Sequence, residues 1–428
     1  MKDASCIEYN LEKLDQMAQR ILEEIGIKIL SSRHLELLAG KGVKIEGDRI
    51  FFTKTQIRDL LGKTPGSFPM KAPNSAYDVR IGDGPSQITA GYGCSSIMDA
   101  NGNTRDANLS DHLNFIKLVH QNPCFNINGG ILAQPTDVPA DKSHLIMHYV
   151  SLVFSDKCMM GMPGSLKQME EIMELTAIRL GGKDKLCEAP QILTMVSPIS
   201  PLQLDDMGLS SIEVAARYKQ PIIASPGVAA GTTGPIDLAN NIAMASAEAL
   251  SIILISQLIN PGTPVIFGLQ CYGSDMKSGN ISIGSPAYAL QAKYCAALAE
   301  YYGIPSRCGG TTNDARELSA QAGYESMLSM FTACQNNVSL IVHGAGILDS
   351  FASMSYEKFI MDMEIIDMIR FYLNDLDVSA NTLNFDLINE IGPGGLYITS
   401  MDTMKKCRTH IWNPSVALRG SLTGLTPR

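Results

Sequence analysis

His343 closes an apolar run, Val338–His343, and Gly344, Ala345 and Gly346 follow it at once. An imidazole there could orient or polarise a ligand, or sit as a satisfied core histidine. Arg307 stands inside another apolar run, Pro305–Cys308. An unpaired guanidinium is not left in a core. Arg307 must therefore reach an acid, with Asp314 and Glu325 as candidates, or an anionic ligand. Tyr92 lies between Gly91 and Gly93, and Tyr272 follows Gln270 and Cys271 after the run Pro264–Leu269. With Phe267 these tyrosines could wall a cation, or pack as ordinary core aromatics. Gln270 and Asp314 are polar groups placed to position a ligand. Asn128-Gly129-Gly130 and Gly309-Gly310-Thr311 set small residues beside one polar group. Such loops let a ligand approach the backbone, or simply punctuate turns.

Regularly spaced elements must hold these groups. Seven short apolar runs alternate with helix-sized segments: Cys124–Asn128, Cys158–Met162, Gln191–Val196, Pro221–Ala224, Pro264–Leu269, Pro305–Cys308 and Val338–His343. Continuous apolar strands separated by helices predict buried parallel strands with crossover helices. The fold class is α/β, a (β/α)8 TIM-type barrel, with the candidate residues at the strand ends where chemistry collects. An open doubly wound sheet is the alternative, but no GxGxxG follows the first run. Residues 1–110 read as an N-terminal α+β layer of helices and short strands, with a hairpin turn at Asn101-Gly102-Asn103. Residues 111–428 read as the barrel with a C-terminal extension. The eighth strand is expected within 376–400.

Composition narrows the partners. Lys+Arg is 34 against 43 Asp+Glu, a net charge of −9. No basic face is offered to nucleic acid or to an anionic membrane. The apolar stretch Ala243–Ile259 is interrupted by Ser246, Glu248, Ser251, Ser256 and Gln257, and reads as too short and too polar to span a bilayer. The N-terminus has no apolar signal region, so a cytoplasmic protein is expected. The ten cysteines include no CxxC pair, and no metal site is expected. No GxSxG, HExxH or GxxxxGK[ST] motif appears. A Gly/Thr loop, Gly231–Gly234, is a weak phosphate signal.

Several segments together resemble the trimethylamine methyltransferase superfamily. They are Ala320–Glu325 with Thr312–Arg316 before it, Ser355–Glu357 through Asp362–Glu364, Asp99–Gly102, Asn128–Gly130, and Gly284–Pro286 to Tyr302–Pro305. The resemblance spans about residues 10 to 414. It implies a barrel that moves a methyl group from a methylated amine to the Co(I) of a separate corrinoid protein. No pyrrolysine is written here, so the chain resembles the branch that acts on quaternary amines such as glycine betaine, proline betaine or carnitine. A quaternary ammonium releases a neutral amine when its methyl is taken, so it needs no general acid. On this reading Tyr92 and Tyr272 form the cation wall, and Arg307 and His343 take a carboxylate. Gln270, Asp314 and His343 do the positioning or electrostatic work of catalysis. Asn128, Gly129, Gly309, Gly310 and Thr311 face the corrinoid. No corrinoid is permanently bound, since no DxHxxG segment is present. The expected partners are a corrinoid protein, a small methylated amine and a second copy of the chain in a homo-oligomer. The family's Gly-Gly-His-Phe and His-Thr signatures read here as Gly394–Tyr397 and Asp402-Thr403. That departure keeps a non-catalytic, amine-binding or corrinoid-protein-binding paralogue as one alternative. A barrel lyase or isomerase using Gly231–Gly234 or Gly309–Thr312 as a phosphate loop is the other.

Overall fold

The structure is a computed structural model and describes residues 4–379 and 382–419. Eight short strands form its centre: β1 (Gln87–Ile88), β2 (Ile127–Gly129), β3 (Cys158–Met160), β4 (Ile192–Val196), β5 (Ile222–Ala224), β6 (Val265–Gly268), β7 (Ser306–Gly309) and β8 (Leu340–Val342). A helix follows each on the outside: α1 (Leu109–Gln121), α2 (Ser143–Phe154), α3 (Leu166–Leu180), α4 (Asp206–Arg217), α5 (Leu238–Ile259), α6 (Pro286–Tyr301), α7 (Ala320–Gln335) and α8 (Tyr356–Leu373). Hydrogen-bonded neighbours run β2-β3-β4-β5-β6-β7-β8-β1, and all are parallel. β1 and β2 stand at the two ends of that order. Asn126 Nδ2, just before β2, donates to Gln87 Oε1 of β1 at 2.9 Å. The barrel is therefore nearly closed, as the alternation of runs and helices predicts.

Among the described residues of 376–400 the expected eighth strand is absent. The described residues of that stretch hold a helix, Phe385–Ile391, and a 3₁₀ turn, Tyr397–Thr399. The eighth barrel strand is β1, which lies inside the segment read as the N-terminal layer. It has two residues, one of them a glutamine, and so carries no apolar run. The division at residue 110 therefore falls between β1 and its own helix α1. The compact units of the chain are instead Met1–Asp362 and Met363–Arg428.

Local chemistry sets the helix starts. Asn108 accepts from the Asp111 amide, and Asp111 answers with the Asn108 amide, a capping box that opens α1. Ser165 and Gln168 do the same for α3. α5 has 22 residues, long and apolar enough by composition to cross a bilayer, so shortness is no argument against it. Its side chains from Asn241 to Gln257 are all buried, Glu248 included, and it is a core helix of this unit. The Ile27–Ile29 strand of the N-terminal segment pairs in parallel with Gln203–Leu204, in the connection after β4. That pairing ties the first segment to the barrel.

α1 ends against a buried cation. Lys157 Nζ donates to the carbonyls of Val119, Asn122 and Phe125 at 2.7, 2.8 and 2.6 Å. Burial lowers its pKa to about 8. Lys157→Met should leave those carbonyls unpartnered and lower stability by about 3 kcal/mol. Urea unfolding would measure it, and a loss below about 1 kcal/mol would mean that water replaces the ammonium.

Candidate active site

The ends of four neighbouring strands bring polar groups together inside the barrel. Ser225 lies one residue past β5, Gln270 two past β6, Arg307 within β7, and His343 one past β8. Arg307 Nη1 donates to Ser225 Oγ at 2.9 Å and to Gln270 Oε1 at 3.1 Å. Gln270 Nε2 lies 3.4 Å from His343 Nε2. Arg307 has no exposed surface at all, yet among the described residues its Nε and Nη2 have no hydrogen-bond partner. Among the described residues no carboxylate lies within ion-pair distance of it. A buried cation held only by neutral oxygens is an unmet demand for an anion.

His343 supports the same centre. Its backbone is left-handed, with φ 60°. Hydrogen bonds fix both flanks: its amide donates to Ala90 O at 3.1 Å, and its carbonyl accepts from the Thr311 amide at 3.0 Å. Strain of this kind persists where the surroundings over-determine it, and it collects at functional sites. Burial, and then the Arg307 charge, push the His343 pKa well below its ordinary value. The ring is neutral, and its Nδ1 has no partner.

Aromatic rings line this polar floor in sequence. Tyr92 meets His343 edge-on at 6.5 Å, and His343 meets Phe351 at 4.6 Å. Phe351 meets Tyr272 edge-on at 6.1 Å, and Tyr272 stacks on Tyr288 at 6.1 Å. Tyr92 is anchored by its hydroxyl, which donates to Gly161 O at 3.1 Å. Burial raises the phenol pKa of Tyr92, Tyr272 and Tyr288, while the Arg307 charge opposes it. All three stay neutral, so the rings offer π faces and no formal charge to a cation.

The glycines nearby serve the protein's own rings. A Cβ on Gly130 would lie 2.6 Å from the Tyr92 ring, and one on Gly309 would lie 2.1 Å from the Tyr288 hydroxyl. The expectation that Asn128, Gly129, Gly309, Gly310 and Thr311 face a corrinoid does not fit their surroundings. Asn128 Nδ2 donates to Ile116 O and Ser155 Oγ at 2.9 and 3.0 Å, and its Oδ1 accepts from the Gly129 amide. A Cβ on Gly129 would lie 3.1 Å from Met159 Cγ, and one on Gly310 would lie 2.7 Å from Met330 Cε. The Thr311 amide is spent on His343 O. These residues are buried against protein atoms.

Asp314 is also placed elsewhere than expected. Its Oδ1 accepts from the Ile283 amide and Ser350 Oγ at 2.8 and 2.7 Å. Its Oδ2 accepts from Ser282 Oγ and the Gly284 amide at 2.8 and 3.1 Å. Asp314 thus latches the loops after β6, β7 and β8 to one another, and the segment it pins through Ser350 carries Phe351. It lines an outer cavity of about 590 Å³ with Asp275, Arg316, Glu325 and Asp349. The phosphate loops are occupied too. Thr233 Oγ1 accepts from the Ala229 amide at 2.9 Å, and α5 begins only at Leu238. The Thr312 amide donates to Gly310 O.

The structure thus groups Tyr92, Gln270, Tyr272, Arg307 and His343, and separates them from Asp314 and Asn128. Ser225, Tyr288 and Phe351 join the site without having been singled out in the sequence. Ser225 had a signal, since it stands at a strand end beside Pro226-Gly227. Tyr288 and Phe351 had none, because one lies in a helix and the other in a loop distant along the chain.

Comparison with known proteins follows the same line. Residues 5–422 match the family model described as trimethylamine methyltransferase (MTTB). The chain is 38% identical to the glycine betaine methyltransferase of Desulfitobacterium hafniense over 414 residues, 97% of this chain and 86% of that protein. It is 27% identical to the L-carnitine:corrinoid methyltransferase of Eubacterium limosum over 402 residues, 91% of this chain and 82% of that one. The crystal structure of the Methanosarcina barkeri monomethylamine methyltransferase superposes with a TM-score of 0.57 at 12% identity, covering 84% of this chain and 72% of that one, a likeness of fold alone. The chain belongs to the trimethylamine methyltransferase (MTTB) family.

Proposed function

We propose that this protein takes a methyl group from a quaternary ammonium carboxylate, glycine betaine first among them, and passes it to the Co(I) of a corrinoid carried by a partner protein. The observation that carries this reading is Arg307, a fully buried guanidinium with two unpartnered nitrogens beneath a row of neutral aromatic rings. A carboxylate meets the guanidinium, and the quaternary ammonium meets the ring faces. The name of the 38% identical relative agrees with that ligand.

The chemistry asks little else of the chain. The C–N bond breaks, the nitrogen keeps the electron pair, and a neutral tertiary amine leaves with no proton required. A neutral His343 suits a reaction without a general acid. The acceptor is a strong nucleophile supplied by the partner, and it approaches from the C-terminal end of the strands. The residues of this chain orient one methyl and exclude water. A homo-oligomer would cover apolar side chains that the second unit exposes, among them Leu376, Phe385, Leu396 and Ile398.

The test mixes the protein with a reduced corrinoid protein and glycine betaine under anoxia and follows dimethylglycine by mass spectrometry. Dimethylglycine formed in step with methylation of the corrinoid is the expected result. Betaine binding without product would leave the non-catalytic reading in place.

A further inference from the structure

The Tyr288 ring stacks in the site but its hydroxyl is unused, and its position is unusual for a helical residue. It lies in the first turn of α6, after Pro286, where the outer helices begin at the mouth of the barrel. Its side chain points inward over the end of β7. Side chains alternate along a strand, so positions 307 and 309 face the same interior. Cβ on Gly309 would come within 2.1 Å of the Tyr288 hydroxyl. The hydroxyl therefore occupies the interior layer one step nearer the mouth than Arg307. The residue is 1% exposed, and among the described residues its O–H has no acceptor. A buried hydroxyl left undonated is costly unless a ligand takes the bond.

We infer that Tyr288 is a specificity-determining residue that donates its hydroxyl to the substrate carboxylate, beside the Arg307 guanidinium. The inference rests on the reading above and deepens it. Arg307 presents Nε and Nη2 to the anion from the floor, and Tyr288 presents one more donor from the next layer. Three donors converge on one carboxylate while the rings behind them take the cation. A site built this way selects quaternary amines that bear a carboxylate over those that do not, because a ligand without one leaves all three donors unpaired. Gly309 is required so that the hydroxyl can enter.

The experiment is calorimetric binding of glycine betaine and of tetramethylammonium to the full chain, with no corrinoid protein present. The wild type should prefer betaine. In Tyr288→Phe the ratio of the two affinities should fall about tenfold or more, the size expected for one hydrogen bond to a charged group. Gly309→Ala, which displaces the hydroxyl without removing it, should lower the same ratio. A purely structural role would weaken both ligands together and leave the ratio unchanged, and that result in both variants would overturn the inference. Failure of the wild type to bind betaine at all would overturn the functional reading and this inference with it.

Discussion

Arg307→Met should abolish betaine binding and at the same time raise the melting temperature of the ligand-free protein. Removing one partner of a buried charge pair costs about 2–5 kcal/mol, so affinity should fall by about 1.5 to 3.5 orders of magnitude. Stability should move the other way. The guanidinium is fully buried and is held by two neutral oxygens, Ser225 Oγ and Gln270 Oε1, with two nitrogens left over. Replacing a buried ion by an apolar side chain of similar length is often stabilising by about 1–4 kcal/mol. The orphaned partners can satisfy each other, since Ser225 Oγ already donates to Gln270 Oε1 at 3.2 Å. The opposed changes would mark Arg307 as a group kept for its ligand at the expense of the fold. Calorimetry for binding and scanning calorimetry for melting read the two effects. A lower melting temperature with betaine binding retained would sink the idea and make Arg307 a structural pillar.

The second large effect concerns a buried ion pair. Lys358 and Asp362, one turn apart on α8, are both fully buried and hydrogen-bonded to each other. Lys358 Nζ also donates to Ser326 Oγ at 2.9 Å, and Asp362 Oδ2 accepts from the Gly346 amide at 2.8 Å. Burial lowers the lysine pKa and raises that of the aspartate, and each partner opposes the shift of the other. Asp362→Ala would strand an ammonium in the core and free the Gly346 amide. The expected loss is about 3–5 kcal/mol. The double variant Lys358→Met with Asp362→Leu should recover most of it, because the stranded charge is then gone. Chemical unfolding of the three proteins gives the comparison, and a single-variant loss near zero would show that water or a shifted lysine fills the gap. Gly346 lies in the connection after β8 that carries Phe351 into the site, and the pair holds that connection at the Gly346 amide.

Most of the barrel was legible because buried parallel strands are apolar throughout and helices separate them evenly. β1 was not legible, because two residues beginning with a glutamine make no pattern. Arg307 announced itself by being a charge inside an apolar run, and His343 by ending one before glycine. Asp314 misled for a physical reason: an acid beside a strand end looks the same in sequence whether its oxygens face a ligand or, as here, four donors of the surrounding loops. Asn128 misled in the same way. A polar residue on a short strand can face the interior or the helices, and here it bonds Ile116 O and Ser155 Oγ.

Sequence alone determined the strand-helix alternation, the family, and the residue types at the ends of β6, β7 and β8, because these depend on local pattern and on order along the chain. Only the tertiary structure decided that no acid among the described residues answers Arg307, that Tyr288 enters over Gly309, and that Phe351 lies against His343. Those are matters of which side chains meet across strands far apart in the chain, and hydrogen bonds between distant residues leave no mark in local spacing.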